Sequence, residues 1–171
     1  MLKNNIMLYS KIDLKRFFKD EIILIQTDTT VGFLSKNSEK LAKIKNRDPR
    51  KKFIQVVPSF RVLKDLIRVP NKFKSMVRQS SKKTFIYESF QRNGEKNQNF
   101  GIRVVQDKKH DDFLKKFGAF YSSSANLSGE NFSYDFTFSS ADVICEDYRG
   151  LFETKSSKII KIKRDKKRQL R

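Results

Sequence analysis

A single α/β (α+β) sheet domain is what the 171-residue sequence predicts. Short apolar runs of strand length alternate along the chain with segments of helical spacing. No repeat and no shift of composition marks a linker, so the domain is expected to span 1–171, with the mostly charged Asp165–Arg171 as a short, exposed basic tail. The length suffices for a real core.

Taken in order, residues 12–19 have the spacing of a short amphipathic helix. Glu21–Gln26 is an apolar run of the kind found in a central strand covered on both faces. It runs directly into the polar turn Thr27-Asp28-Thr29-Thr30-Val31-Gly32. Ser38 caps a helix in which Leu41 and Ile44 share a face. Lys45, Arg47, Arg50, Lys51 and Lys52 follow at that helix's exit, where cations suit the dipole. Phe53–Val57 reads as a strand closed by Pro58. Residues 61–79 hold one or two helices interrupted at Pro70. Thr84–Tyr87 and Ile102–Val105 are strands flanking a polar loop at 91–99. Asp111–Phe117 is a short helix ended by Gly118, with His110 at its start on the surface. Phe120–Ser123, Asp142–Cys145 and Ser157–Lys163 complete the strands, with Cys145 buried in its own.

Lys and Arg number 38 against 19 Asp and Glu, a net charge of +19. Such a balance favours a polyanionic partner, RNA or DNA, or a phosphate-rich small ligand. One cysteine and one histidine make an intrachain disulfide impossible and a Cys/His zinc site implausible, so no metal-ligating set is assigned. No apolar run reaches membrane-spanning length, and Met1–Lys11 lacks the apolar centre of a signal peptide; the expectation is a cytoplasmic protein without membrane contact.

Tyr121-Ser122-Ser123-Ser124-Ala125-Asn126-Leu127-Ser128-Gly129 is a strand end crowded with small polar side chains, which let a ligand approach the backbone and offer it donors. By itself such a cluster is also an ordinary exposed turn. A second strand ends in a polar turn after Gln26, and ligands commonly bind at such ends in open α/β sheets. Lys45 and Arg47 could reach the same place and supply a point charge and a fork to phosphate oxygens. A P-loop pattern is absent, and the lone histidine supports no Ser/His/Asp set.

Together these segments resemble the YrdC-type family of threonylcarbamoyl-adenylate synthases (the YrdC/YciO-like domain). Gln26-Thr27-Asp28-Thr29-Thr30-Val31-Gly32-Phe33 is similar to the family's Pro-Thr-Asp/Glu-Thr-Val-Tyr-Gly-Leu. Lys45-Asn46-Arg47-Asp48-Pro49-Arg50-Lys51-Lys52-Phe53 resembles its Lys-x-Arg-Pro-x-x-Lys-Pro-Leu, and Ser123-Ser124-Ala125-Asn126-Leu127-Ser128-Gly129 its Thr-Ser-Ala-Asn-x-Ser-Gly. Gly101-Ile102-Arg103-Val104, Ser157-Lys158-Ile159-Ile160 and Leu170-Arg171 match more weakly. The resemblance covers residues 21–171, in the family's order.

The resemblance implies a twisted mixed sheet curled around a concave basic cavity. It also implies a reaction in which threonine, bicarbonate or CO2, and ATP give threonylcarbamoyl-AMP and pyrophosphate, for the threonylcarbamoyladenosine modification of tRNA. By the same resemblance Lys45 and Arg47 are the catalytic cations and hold the phosphates with Ser123, Ser124, Asn126, Ser157 and Arg171. Thr27, Lys51 and Arg103 line the threonine and carbamate side. Mg2+ is expected through the phosphates, and a downstream tRNA-modifying protein as partner. This sequence departs from the family's pattern at Gln26 for proline, Val31 for tyrosine and Ser80-Ser81-Lys82 for Pro-Gly-Pro, in a shorter connection from Gly32 to Lys45, and in having no histidine after Lys51. A second expectation is a non-catalytic module binding double-stranded or structured RNA, and a third an α/β domain whose charge only keeps it in solution.

Overall fold

The computed structural model of the chain describes residues 18–89 and 98–171. One mixed nine-stranded sheet carries the described fold, in the order β7-β1-β2-β6-β3-β5-β4-β8-β9. The strands are β1 (Ile23–Gln26), β2 (Val31–Ser35), β3 (Ile54–Val57), β4 (Lys83–Ser89), β5 (Gln98–Val104), β6 (Phe120–Ser124), β7 (Val143–Cys145), β8 (Lys158–Ile162) and β9 (Lys167–Gln169). Three neighbouring pairs are parallel (β1/β7, β3/β5 and β4/β8) and the others antiparallel. Among the described residues five α-helices, α1 (Ser38–Ile44), α2 (Phe60–Leu66), α3 (Lys74–Gln79), α4 (Lys108–Phe117) and α5 (Tyr134–Ser139), lie between strands; a 3-10 turn at Asn71–Phe73 precedes α3.

Helix ends follow from side chains that satisfy the first free N–H groups. Asn37, one residue earlier than the expected Ser38, accepts from Glu39 and Lys40 N–H at 3.0 Å each. Ser59 caps α2 and Asp107 caps α4, the latter accepting His110 N–H at 2.9 Å. Gly118 ends α4 at φ 91°, a conformation a side chain would disfavour.

Three apolar clusters sit against the sheet. Leu24, Val31, Phe33, Leu41, Phe53 and Ala125 pack together with Phe136 of α5. Val57, Leu63, Val77, Phe85, Tyr87, Ile102 and Ile162 form the second, beneath α2 and α3. Phe18, Ile23, Ile25, Leu34, Val56, Leu114 and Phe120 form the third, under α4. Each fully buried large apolar side chain contributes roughly 1.5–3 kcal/mol. Every residue of β1 is buried, as expected for a strand covered on both faces.

The sheet has two strands that the sequence pattern does not announce. Val31–Ser35 continues from the turn after β1 as a strand despite its glycine, and β9 pairs with β8 by register Ile162↔Lys167. Asp165–Arg171 is exposed as expected, yet it is not a free tail, because β9 lies within it. Helix α5 is likewise unannounced, its Tyr-Asp-Phe-Thr-Phe-Ser being rich in residues that favour strands. The helix expected over 12–19 falls outside the described residues except for Phe18 and Lys19, which form a turn. The loop expected at 91–99 is outside them through residue 97, while Gln98 and Asn99 already belong to β5.

Candidate active site

Side chains directly opposite one another in paired strands share a face. The register therefore places Gly32, Ser124, Ser122, Ile54, Gly101 and Thr84 on one side of the sheet. A Cβ at Gly101 would lie 3.1 Å from Ile54 Cγ2 and 3.6 Å from Thr84 Cγ2, as that placement requires. Leu34, Val56 and Phe120 lie on the same side and pack under α4, so only its end at Ser124, which is exposed, is open to a ligand.

At one end of this face, the β1–β2 turn and the end of β6 approach each other at Gly32. A Cβ there would stand 2.8 Å from Ser123 O and 3.0 Å from Thr27 Cγ2, so only glycine permits the approach. The β1–β2 turn closes on itself: Thr27 Oγ1 donates to Thr30 O at 2.7 Å and accepts Thr29 N–H at 3.1 Å. The turn after β6 is held from below by Lys45. Its ammonium donates to Ser124 O at 2.7 Å and to the Asn126 carbonyl, and Lys45 O accepts Ser128 N–H at 3.1 Å. Ser124 Oγ donates to Asn126 Oδ1 at 2.5 Å, and the Asn126 amide donates to Glu130 O at 2.6 Å.

Lys45 is 2% exposed, so the helix exit is buried at this residue and not solvated. Burial, with the charge of Arg47 next, pushes its ammonium down to about 8. Arg47 turns to the following loop, where Nε and one terminal nitrogen donate to Lys51 O and Lys52 O at 3.2 and 3.3 Å. Its guanidinium lies 4.9 Å over the Phe53 ring. Lys51 is exposed.

Behind the Thr27–Thr30 turn lies a buried ionic cluster. Arg103, 2% exposed, donates to Thr29 Oγ1 at 3.1 Å and lies 3.3 Å from Asp28 Oδ1. His110 is wholly buried, not on the surface; its Nδ1 accepts Asp28 N–H at 3.2 Å, because α4 packs its first turn beneath this loop. Burial raises the Asp28 carboxyl, but the contact with His110 and the charge of Arg103 hold it below its usual range. Burial lowers Arg103, against the pull of Asp28. Arg103 is thus a strut of this turn; as placed, it presents almost no surface to a ligand. On β4 and β8, Thr84 Oγ1 and Ser157 Oγ lie 2.8 Å apart and buried, and Arg171 donates to Ser157 O through two nitrogens at 3.3 Å.

Of the residues singled out in the sequence, Lys45, Ser124 and Asn126 touch, and Thr27 lies beside Gly32, the β2 partner of Ser124. Ser157 and Arg171 form a second contact group. Ser123 departs from expectation: the pleat turns its side chain to the face opposite Ser122 and Ser124, alongside Phe33. Val31 is 1% exposed in the core under α1 and does not line the site. Cys145 lies half-buried in β7, and burial pushes its thiol up to about 11.

A cavity of about 720 Å3 opens where β1 and β5 end and β4 and β8 begin. Thr27, Asp28 and Thr29 line it, with Lys82, Lys83, Asp107, Phe152, Lys155 and Lys158. One wall is the segment after β7. There Phe152 N–H donates to Gln26 Oε1 at 3.0 Å, Phe152 O accepts Val31 N–H at 3.1 Å, and Thr154 N–H donates to Thr30 Oγ1 at 3.0 Å. Arg149 fastens that wall, 3.0 Å from Asp107 and 2.6 Å from Asp147. Glutamine in place of the resembling family's proline is what provides the acceptor for Phe152. The contacts of Phe152 and Thr154 have no signal in the sequence, since they join residues more than a hundred positions apart.

Among the described residues no cluster of three or more His, Cys, Asp or Glu could hold a metal ion, and no helix is long and apolar enough to cross a membrane. A family model for Sua5, YciO and YrdC proteins, described as telomere recombination, matches residues 16–171. No curated protein matches the sequence. In fold the chain is similar to E. coli YciO, with a TM-score of 0.74 at 19% identity, covering 96% of this chain and 90% of that one. It is similar to the MTH1692 protein of Methanobacterium thermoautotrophicum, with a TM-score of 0.67 at 18% identity over 100% of this chain and 92% of that one. It is also similar to P. abyssi Sua5 complexed with L-threonine, with a TM-score of 0.73 at 15% identity over 96% of this chain but only 55% of that one.

Proposed function

The chain belongs to the Sua5/YciO/YrdC domain family, and within it we propose that this protein is a threonylcarbamoyl-adenylate synthase acting in tRNA modification. The observation that carries the reading is that β2 brings the two turns together, Gly32 pairing with Ser124 and Ala125 N–H donating to Val31 O at 3.1 Å, with a buried lysine beneath the Ser124–Asn126 turn. Threonine and bicarbonate give a carbamate with loss of water. A carbamate oxygen then bonds to the α-phosphorus of ATP while the bond from that phosphorus to the β-bridging oxygen breaks, and pyrophosphate leaves with the electron pair. Charge grows on phosphate oxygens, so positioning and fixed donors supply most of the catalysis.

In this reading Ser124 and Asn126 meet the nucleotide, Lys45 holds their turn and adds positive potential, and Arg47, Ser157 and Arg171 flank it. Thr27 faces the amino acid, Arg103 acts through Thr29, and Lys51 serves from the loop rim. Mg2+ would be carried by the phosphates: Asp28, the acid in the β1–β2 turn, is already engaged by Arg103 and His110. The test is pyrophosphate release from ATP with and without threonine and bicarbonate. Release that requires both supports the synthase, and none from folded protein refutes it.

The exposed cations Arg164, Lys166, Lys167 and Arg168 around β9 favour a second reading, structured-RNA binding without turnover. Tight binding of duplex RNA that weakens steeply with salt, with no pyrophosphate release, would decide for it. A tRNA-modifying partner that takes up the adenylate belongs to the first reading only.

A further inference from the structure

We propose that the outer face of α5 and the neighbouring free edge of β7 form a docking surface for another protein, specifically for an extended basic segment in which Lys or Arg flanks an apolar anchor. The side chains of this surface are separate from those assigned to nucleotide and amino acid, and it stands whether or not the protein turns over ATP.

Tyr134 and Phe138, one turn apart on α5, are 61% and 40% exposed and stack with centroids 6.0 Å apart and planes 19° from parallel. Phe132 meets Tyr134 edge-on at 4.9 Å and itself packs on the core, which anchors the exposed pair. Ile144, at the centre of β7, is 46% exposed. Its partner Leu24 belongs to the cluster on which Phe136 of α5 packs, so Ile144 and α5 lie on one side of the sheet. β7 also ends the sheet, with no strand beyond it among the described residues. The opposite edge, β9, is Lys167-Arg168-Gln169, a charged composition that keeps an edge from pairing. Val143-Ile144-Cys145 lacks that protection and shows an aliphatic side chain instead.

Charge identifies the occupant. None of the 38 Lys and Arg lies between Gly118 and Tyr148, while five acids do: Glu130, Asp135, Asp142, Glu146 and Asp147. Asp142 and Asp147 are engaged by Lys40 and Arg149, each at 2.6 Å. Glu130, Asp135 and Glu146 are exposed and have no ion pair among the described residues. An acidic, aromatic face on a chain of net charge +19 repels nucleic acid and anionic lipid and attracts a basic protein segment, whose cations can also lie over the Tyr134 ring. A second copy joined edge to edge is unfavourable, because antiparallel pairing about Ile144 sets Asp142 opposite Glu146. A strand added beside β7 gains main-chain bonds, an apolar contact at Ile144 and the two rings, and selection for cations by the free acids.

The same surface is tied to the turn after β6. Thr137 Oγ1 of α5 donates to Ala125 O at 2.6 Å, and the Asn126 amide donates to Glu130 O at 2.6 Å. Helix α5 thus exposes Tyr134 and Phe138 while its buried Thr137 grips the Ser124–Asn126 turn. A protein seated on α5 is therefore coupled, through that helix, to whatever occupies the turn.

The test is titration of the isotopically labelled full chain, followed by amide NMR shifts, with the peptide Lys-Val-Arg-Ile-Lys-Val-Arg and with the same peptide bearing Glu at every Lys and Arg. The basic peptide should give saturable shifts at Tyr134, Phe138, Ile144 and, through α5, Ala125, and should bind about tenfold more tightly than the acidic one. Ile144→Lys, Tyr134→Ser/Phe138→Ser and Glu130→Gln/Asp135→Asn/Glu146→Gln should each weaken it about fivefold or more. Each should move the thermal midpoint by less than about 2 °C, since all these side chains are exposed. No saturable binding of the basic peptide, equal affinity for the two peptides, or shifts confined to other parts of the chain overturns the proposal. Duplex RNA that shifts these amides would give the face to a nucleic acid, and a concentration-dependent dimer abolished by Ile144→Lys would give it to a second copy; either result overturns it likewise. A midpoint lowered by more than about 5 °C in Ile144→Lys would show the residue already covered by the chain itself, with the same consequence.

Discussion

The Lys45 ammonium lies 2.7 Å from Ser124 O, so a cation at the end of α1 holds in place the turn that follows β6, nearly eighty residues later. In the proposed function a functional and a structural role thus fall on one residue. A buried ammonium surrounded by carbonyls fixes the Ser124–Asn126 turn and contributes positive potential to whatever binds there.

Lys45→Ala should therefore affect both folding and activity. Carbonyls of Ser124 and Asn126 lose their donor, which costs about 1–3 kcal/mol. That exceeds the roughly 0.3–1 kcal/mol that an exposed cation at a helix end contributes. Urea unfolding measures the first effect, and pyrophosphate release from the protein still folded measures the second. Unchanged stability would mean that the turn does not depend on Lys45.

The same ammonium makes stability depend on pH. Its folded value, about 8, lies below the ordinary 10.5, so between those values the unfolded chain binds more protons than the folded one. Unfolding free energy should then rise with pH across that window and level off above it. Relative to Lys45→Met, wild type should gain on the order of 3 kcal/mol between pH 7.5 and 10.5. Parallel pH profiles for the two proteins would contradict the depressed value. The same linkage predicts proton uptake when a polyphosphate binds near pH 8.5, measurable by calorimetry in buffers of different ionisation enthalpy.

Gly32→Ala tests the crossing of the two turns. The new methyl would meet Ser123 O at 2.8 Å, and backbone cannot yield as a flexible side-chain end would. A loss of about 1–3 kcal/mol is expected from overpacking, together with reduced turnover in the surviving folded protein. A variant as stable as wild type would show that the two turns are not in contact.

Val31→Tyr would restore the aromatic residue of the family motif, and a motif alone suggests a better amino-acid pocket. The structure reverses that expectation. Val31 is 1% exposed among Leu24, Phe33, Leu41 and Ala125, so a tyrosine has no room and its hydroxyl no evident partner. The expected result is a loss of about 1–3 kcal/mol in denaturant unfolding with no decrease in KM for threonine. A stable variant with a lowered KM for threonine would return residue 31 to the site.

Much of the frame was legible in the chain because it is local. Apolar Ile23–Gln26 had to be a covered strand, and the spacing of Leu41 and Ile44 had to be a helix with cations at its exit. The Ser-Ala-Asn turn was legible too, from composition and family resemblance. Strand β2 was hidden by Gly32, whose reason for being glycine is the neighbouring Ser123 carbonyl. His110 was misplaced because nothing in a sequence shows that α4 seats its first turn under the Thr27–Thr30 loop, and a lone polar residue in a basic chain looks solvated. The pair Lys83 and Lys158 was invisible for a similar reason: only the β4–β8 pairing brings them side by side.

Gln26→Ala tests the wall that the segment after β7 forms beside the Thr27–Thr30 turn. Gln26 is 2% exposed, and its side-chain oxygen accepts the Phe152 N–H at 3.0 Å. Removing it leaves that amide without its donor-to-acceptor contact, at a cost of about 1–3 kcal/mol. The contacts from Val31 N–H to Phe152 O and from Thr154 to the β1–β2 turn remain, so the wall should loosen locally and the sheet should not unfold. Amide exchange at Phe152 and Thr154 should quicken, while Phe85 and Ile102 in the centre of the sheet exchange as in wild type. Because the wall borders the cavity, ligand affinity should fall with little change in global unfolding. Unaltered exchange at Phe152 would show that Gln26 does not hold the wall, and faster exchange throughout the sheet would make Gln26 a residue of the core.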